Sequence, residues 1–100
     1  MPDALTPFAV AEMLVRLPGW SGDIHGLTRT YRFADFKAAM AFMHGCAPAI
    51  DSANHHPEWS NVYNRVSVTL RTHDAGDRVT ELDVKLARLL DAEAGKRPPA

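Results

Sequence analysis

The chain has 100 residues, of which 46% are hydrophobic and 23% are charged, and its formal net charge is -1. This composition is typical of one globular domain with a modest core. A charge so close to zero argues against direct binding to nucleic acid or to an anionic membrane, because either requires an excess of basic residues. No apolar run approaches the roughly 18 residues of a membrane span. The single cysteine, Cys46, cannot form an intramolecular disulfide, so we expect a cytoplasmic protein with a buried, inert thiol.

A helix is expected near the start of the chain, over residues 7–17. Thr6 can accept hydrogen bonds from the free N–H groups of the first turn, and Pro7 loses nothing at the first helical position. Pro18-Gly19 supplies the stop signal. Apolar residues recur every three or four positions, which gives this helix one face to bury.

A hairpin and a second helix are predicted next. Residues 20–25 and 27–33 have the composition of two strands, with the turn at His25-Gly26. Asp35 is placed to cap the second helix. Pro48 is expected to end that helix, because a proline inside a helix removes a backbone hydrogen bond.

A second hairpin is predicted around Asn64. Residues 65–72 alternate between polar and apolar side chains with the period of two that is typical of a half-buried strand. If the stretch before the turn is also extended, His55 and His56 lie in the first arm and His73 at the far end of the second. The outer ends of a hairpin lie side by side, so the three imidazoles can meet at one edge of a sheet.

The last helix is predicted to begin at Thr80, since Asp83 follows at capping-box spacing in place of the usual Glu or Gln. The residues expected to be buried on it are Leu82, Leu86, Leu89 and Leu90. The order helix, hairpin, helix, hairpin, helix predicts a two-layer α+β domain, with three helices packed on about four antiparallel strands. We expect a single domain over residues 1–94, a disordered tail over 95–100, and sheet edges that allow pairing of copies.

The chemistry of the second hairpin depends on its histidines, and several interpretations are open. Adjacent strand residues point to opposite faces, so either one of His55 and His56 only supports the site or the backbone there is irregular. In the simplest structural interpretation, one imidazole packs against Trp59 and the other is solvated. Zinc held with His73 and Asp74 is a rival, although the spacing differs from that of common zinc sites. General acid–base chemistry needs neither a metal nor a covalent intermediate.

The sequence His-His-Pro-Glu-Trp-Ser-Asn-Val-Tyr-Asn at residues 55–64, with the later Thr72-His73, resembles the pterin-4a-carbinolamine dehydratase family. Further similarity extends over residues 20 to about 90. The resemblance implies a hydro-lyase that dehydrates 4a-hydroxytetrahydrobiopterin to quinonoid dihydropterin in tetrahydrobiopterin recycling, with no metal or organic cofactor. It also implies a homodimer or homotetramer. In animals the family doubles as a dimerisation cofactor of a homeodomain transcription factor.

Carried over to this chain, the family's active-site histidines fall on His55, His56 and His73. We expect His55 and His73 to share the roles of base and acid, and His56 mainly to hold the pterin. The residues that the resemblance implies for substrate binding are His55, His56, Pro57, Thr72, His73, Asp74 and Ala75.

Two positions depart from the family pattern. Asp51-Ser52 stands where an acidic residue and a lysine are common, and Asp74 stands where glutamate is frequent. Both keep a carboxylate on a shorter side chain, which bears on how the histidines are oriented. The alternative function is a binding, assembly or transcriptional-coactivator module without catalysis, since a fold does not fix a function.

Overall fold

The fold is seen in a computed structural model that describes residues 2–97. The elements are α1 (Pro7–Val15), β1 (Ser21–Asp23), β2 (Gly26–Arg32), α2 (Phe36–Ala53), β3 (Glu58–Val62), β4 (Arg65–Leu70), a short 3₁₀ turn (His73–Ala75) and α3 (Glu81–Ala94). The four strands form one antiparallel sheet in the order β1-β2-β4-β3. The predicted α+β fold, with two hairpins and three helices, is confirmed.

The sheet has one buried and one exposed face, because side chains alternate along its two central strands. The buried set is Leu27, Tyr31, Val66, Val68 and Leu70, and the exposed set between them includes Thr28, Thr30 and Ser67. The helices cover the first face, and Phe42 of α2 and Leu86 of α3 are fully buried there. Each such aliphatic or aromatic side chain stabilises the fold by about 1.5–3 kcal/mol.

Helix α3 is fixed to the sheet by hydrogen bonds to one carboxylate, that of Asp91. It accepts from Trp20 Nε1 at 3.0 Å, from Arg29 Nη1 at 3.0 Å and from the Tyr31 hydroxyl at 2.5 Å. Burial, followed by this contact with Asp91, raises the pKa of Tyr31 well above its ordinary value, so the hydroxyl remains a donor. These hydrogen bonds hold α3 in one position on the sheet, and with it Asp83, a residue of the candidate site in the first turn of the helix.

Helix α2 continues through Pro48 and ends at Ala53, so the prediction that this proline ends the helix is wrong. The missing N–H would have bonded the carbonyl of His44, one turn earlier. Both residues lie on the exposed side of the helix, where water can take the place of that hydrogen bond. The helix is instead terminated by its C-cap residue Asn54, which adopts a left-handed conformation with φ of 50°.

Three further predictions differ from the structure in detail. Strand β3 begins at Glu58, so the two adjacent histidines precede the strand instead of lying in it. The first hairpin turns at residues 24–25, because Asp23 pairs with Gly26. On α3, Leu86 and Leu90 are buried as expected, but Leu82 is only half-buried. Leu89 is 43% exposed, because it lies outside the face of the helix that packs against the core.

The C-terminal end of the described chain packs against α2. Arg97 donates a hydrogen bond to the carbonyl of Ala41 at 3.1 Å and another to Glu93 at 3.0 Å. Residues 98–100 of the predicted tail lie outside the described residues. Within residues 2–97, no helix is both long and apolar enough to cross a membrane.

Candidate active site

The three predicted histidines line one cleft at the end of the sheet, with a volume of about 270 Å³. Five of the seven predicted site residues lie on its wall, namely His55, His56, Thr72, His73 and Asp74, while Pro57 and Ala75 do not. The pairing of β3 with β4 explains how they meet. The last register pair of these two strands at this end is Glu58 with Thr69, so the segment before Glu58 and the segment after β4 lie next to each other at this end of the sheet.

His55 and His56 lie in an irregular segment between α2 and β3. The left-handed Asn54 turns the chain out of the helix, and the His55 N–H still bonds back to the carbonyl of Ile50 at 3.5 Å. The rule that adjacent side chains diverge applies to strands, and this segment is not a strand. Of the two arrangements left open by the sequence, the structure therefore has the irregular one, in which both imidazoles line the cleft.

His55 is the most deeply held of the three histidines. Its side chain is 11% exposed, compared with 60% for His56 and 72% for His73. His55 Nε2 lies 2.6 Å from Oδ1 of Asp83, which has no exposed surface. Because a carboxylate oxygen can only accept, Nε2 carries the hydrogen, and Nδ1 is the basic nitrogen of the neutral ring.

Asp83 is itself fixed by a buried hydrogen-bond network. Its Oδ2 accepts from the Thr80 N–H at 2.9 Å and from the Thr72 hydroxyl at 2.9 Å. The Thr72 hydroxyl in turn accepts from that of Thr80, 2.7 Å away, since its own hydrogen is directed to Asp83. A buried network in which every group is satisfied is rigid, so the orientation of His55 and the cap of α3 depend on the same carboxylate.

Sequence reasoning assigned Asp83 only to the capping box and missed its contact with His55. A signal was present, because the capping box ordinarily uses a longer Glu or Gln at this position. The shorter aspartate caps the helix and still leaves one oxygen for a partner outside it.

The other two histidines also have carboxylate partners, but in solvent. His56 Nε2 lies 3.2 Å from Oδ1 of Asp51, and His73 Nδ1 donates to Asp77. Exposed pairs of this kind add little stability. They do select which ring nitrogen carries the hydrogen, and that choice determines which nitrogen can exchange a proton. Asp51 thus contacts a site histidine although the family's lysine is missing beside it.

Two more features of the cleft bear on the open interpretations. Arg71, which sequence reasoning treated only as a strand residue, lines the cleft and pairs with Glu58 at 2.9 Å. Within the described residues, no three His, Cys, Asp or Glu side chains are grouped as a metal ion would require. Each imidazole contacts a different carboxylate instead.

Cys46 lies apart from the cleft, in the core. Its side chain is buried, as predicted, and burial raises the pKa of the thiol to about 12. The thiol therefore stays protonated near neutral pH, and a protonated thiol is a poor nucleophile.

Comparison with known proteins agrees with the motif and the fold. The family model described as "Pterin 4 alpha carbinolamine dehydratase" matches residues 3–93. A relative in Opitutus terrae is 50% identical over 88% of this chain and 91% of its own. One in Rhizobium meliloti is 49% identical over 98% and 95%, and one in Burkholderia multivorans is 52% identical over 87% and 86%. All three carry the provisional name pterin-4-alpha-carbinolamine dehydratase.

Two solved structures share the architecture. One, described as a transcriptional coactivator/pterin dehydratase from Brucella melitensis, superimposes with a TM-score of 0.88 at 44% identity, covering 93% of this chain and 100% of its own. The other, a pterin dehydratase-like protein described as a RuBisCO assembly factor in the alpha-carboxysome, gives 0.62 at 23% identity over 76% and 87%, a likeness of fold. Because the family model spans nearly the whole sequence, the chain belongs to the pterin 4 alpha carbinolamine dehydratase family.

Proposed function

We propose that the protein is a 4a-hydroxytetrahydrobiopterin dehydratase, a carbon–oxygen lyase that acts in tetrahydrobiopterin recycling without a metal or organic cofactor. It removes water from the 4a-carbinolamine to leave the quinonoid dihydropterin. The observation that carries this proposal is the cleft lined by His55, His56 and His73 in a chain of this family. The buried hydrogen bond from His55 to Asp83 supports it further, since it gives one imidazole a fixed orientation.

The reaction needs a base for a pterin N–H proton and an acid for the departing 4a-hydroxyl. His55 is the base in this proposal, because the Asp83 carboxylate at Nε2 would stabilise the imidazolium that forms when Nδ1 accepts a proton. His73 is the acid, and the proton that it gives leaves with the hydroxyl as water. His56, mostly exposed, holds the pterin.

The remaining binding residues are proposed with one refinement. The Thr72 hydroxyl is engaged by Asp83, its N–H by the carbonyl of Arg78 and its carbonyl by the N–H of Ala75. Thr72 therefore acts by holding Asp83 in place. Direct contacts with the heterocycle inside the cleft are proposed for His56, His73 and Asp74, which line it, whereas the backbone of Pro57 and Ala75, which do not, would contact only a part of the pterin that extends beyond the cleft wall.

The test is stopped-flow absorbance of 4a-hydroxytetrahydropterin decay with the wild-type protein and with His55→Ala. A matched control is His44→Ala, which removes an exposed histidine from α2, away from the cleft. Acceleration by the wild type and by the control, lost in His55→Ala, would support the dehydratase. No acceleration by folded wild-type protein would rule it out.

The proposal includes a homodimer or homotetramer. Among the described residues, β1 pairs with β2 only from Gly26 to Thr28, which leaves the rest of that edge, to Arg32, without a strand partner. An unpaired strand edge can form backbone hydrogen bonds with the same edge of a second copy of the chain. Light scattering coupled to size exclusion would give the mass, and a monomer at all concentrations would contradict this part.

The alternative is a non-catalytic binding or coactivator module. It is favoured by the two apolar side chains that α1 leaves in solvent, with Phe8 73% and Val15 84% exposed. The descriptions of the two structural neighbours as a coactivator and an assembly factor concern those proteins. Direct binding to nucleic acid is not part of this alternative, because the net charge is -1. The stopped-flow experiment decides between the two.

A further inference from the structure

The turn after His73 contains an unusual backbone conformation. Gly76 and Asp77 are consecutive residues in the left-handed region, with φ of 73° and 57°. Glycine adopts this region freely, whereas an L-residue is strained there by its Cβ atom. Asp77 is one of three non-glycine residues with positive φ in the described part of the chain.

The same turn fixes where the Asp77 side chain can lie. It is closed at its base by the hydrogen bond from the Thr72 N–H to the carbonyl of Arg78, at 2.9 Å. Within it, the Gly76 N–H bonds the carbonyl of His73 at 3.0 Å. The carboxylate of Asp77 then accepts a hydrogen bond from His73 Nδ1, four residues earlier.

Turn formation alone does not account for this aspartate. Aspartate tolerates the left-handed region better than most residues, but glycine would suit it without strain. The pair with His73 does not offset the cost of the strain, because the two side chains are 72% and 62% exposed and exposed pairs contribute little stability. Strained residues that persist without a gain in stability are characteristic of functional sites.

We propose that Asp77 is a positioning residue that makes Nε2 of His73 the nitrogen that gives up the proton. This inference rests on the proposed dehydratase function. With the Nδ1 hydrogen held by Asp77, the imidazolium loses its proton from Nε2 to the 4a-oxygen. The C4a–O bond breaks, its electron pair leaves with the oxygen as water, and the nitrogen lone pair freed by His55 forms the new C=N bond. Neutral His73 is left as the Nδ1–H tautomer.

The proposal predicts that activity and stability change in different directions in Asp77→Gly. The kcat of dehydration should fall about tenfold, because the ring loses the partner that orients it. The melting temperature should stay the same or rise, because glycine relieves the left-handed strain. Tyr63→Gly is the matched control, since it relieves the same strain (φ of 52°) in the β3–β4 turn and should leave kcat unchanged.

A double-mutant cycle tests whether Asp77 acts through His73. In a His73→Ala background, Asp77→Gly should have no further effect on kcat. A further tenfold loss in that background, or unchanged kcat in Asp77→Gly alone, would overturn the proposal.

Nitrogen-15 NMR of the His73 ring gives a readout that does not need turnover. The neutral ring should be the Nδ1–H tautomer in the wild type and should shift toward the Nε2–H tautomer in Asp77→Gly. Identical ring shifts in the two proteins would overturn the inference even where dehydratase activity is present. If the tautomer shifts but the wild type fails to dehydrate, the proposed function fails and the catalytic part of the inference with it, while the pairing of Asp77 with His73 stands.

Discussion

The cleft has two sides that use the same pair of residue types in opposite surroundings. On one side His55 bonds Asp83 inside a buried network that also caps α3. On the other side His73 bonds Asp77 in solvent, within a turn that carries backbone strain. The same histidine–aspartate contact therefore has different consequences when its aspartate is removed, depending on whether the pair is buried or exposed. Loss of the buried partner should lower both stability and activity, whereas loss of the exposed partner should lower activity alone.

The largest expected effect is on the imidazoles themselves. His55→Ala and His73→Ala should each lower kcat by roughly 10²–10⁴-fold, the range for a lost general acid or base. Stopped-flow decay of the carbinolamine measures this. Since both side chains are proposed to move protons, similar losses of kcat in the two variants would indicate that the two sides of the cleft contribute equally to the chemical step. A normal rate in either variant would remove that histidine from the mechanism.

The next effect concerns the buried partner. Asp83→Ala should lower the free energy of unfolding by about 2–4 kcal/mol, because a helix cap is lost and buried groups of Thr72, Thr80 and His55 are left unsatisfied. Urea denaturation measures this quantity, and kcat should fall in the folded fraction. If the free energy of unfolding were unchanged, the two sides of the cleft would not differ in the way described.

A smaller effect is expected at the third histidine. His56→Ala should raise KM more than it lowers kcat, the pattern of an interaction made equally with substrate and transition state. Steady-state kinetics with varied pterin concentration separates the two parameters. Equal and modest changes at all three histidines would contradict the assignment of roles on both sides of the cleft.

The smallest effect concerns the exposed partner of that histidine. Asp51→Ala should change the free energy of unfolding by less than about 1 kcal/mol, because its pair with His56 lies in solvent. Chemical denaturation beside Asp83→Ala gives a direct contrast between an exposed and a buried carboxylate. A loss as large as that of Asp83→Ala would mean that solvent exposure does not govern these pairs.

Chelation should have no effect at all. We expect the same rate of dehydration with and without EDTA, since each imidazole contacts a carboxylate and no metal-binding group is formed among residues 2–97. Activity lost in EDTA and restored by zinc would revive the metal interpretation of the cleft.

The sequence predicted those parts of the molecule that depend on local pattern. The alternation of Val66, Val68 and Leu70 gave the buried face of β4, and Thr80 marked the start of α3. The prediction at Pro48 was wrong, because a proline is tolerated where the side of the helix that lacks its hydrogen bond faces water. Which side of the helix faces water is decided by packing and not by the local sequence. The predicted start of β3 was too early, because the left-handed Asn54 turns the chain at the end of α2 and the residues that follow it do not yet pair as a strand.

The candidate site was predicted to a different degree on its two sides. The motif pointed to the three histidines, and the predicted hairpin brought them close together, but neither indicated which carboxylates they contact. The contact of His55 with Asp83 joins residues 28 positions apart and depends on how α3 docks on the sheet, which no local pattern reveals. Asp77 lies only four residues from His73, yet its contact follows from a left-handed turn that the sequence Gly-Asp indicates only in retrospect.

The double use of Asp83 has a consequence for how this protein would lose activity. Its Oδ2 accepts the Thr80 N–H, so this amide is protected from hydrogen exchange only while the carboxylate is in place. An opening of the first turn of α3 that displaces Asp83 also removes the partner of His55, without requiring the whole domain to unfold. Exchange at the Thr80 amide therefore reports, in the resting protein, how often the hydrogen-bond network that orients His55, the proposed base, is open.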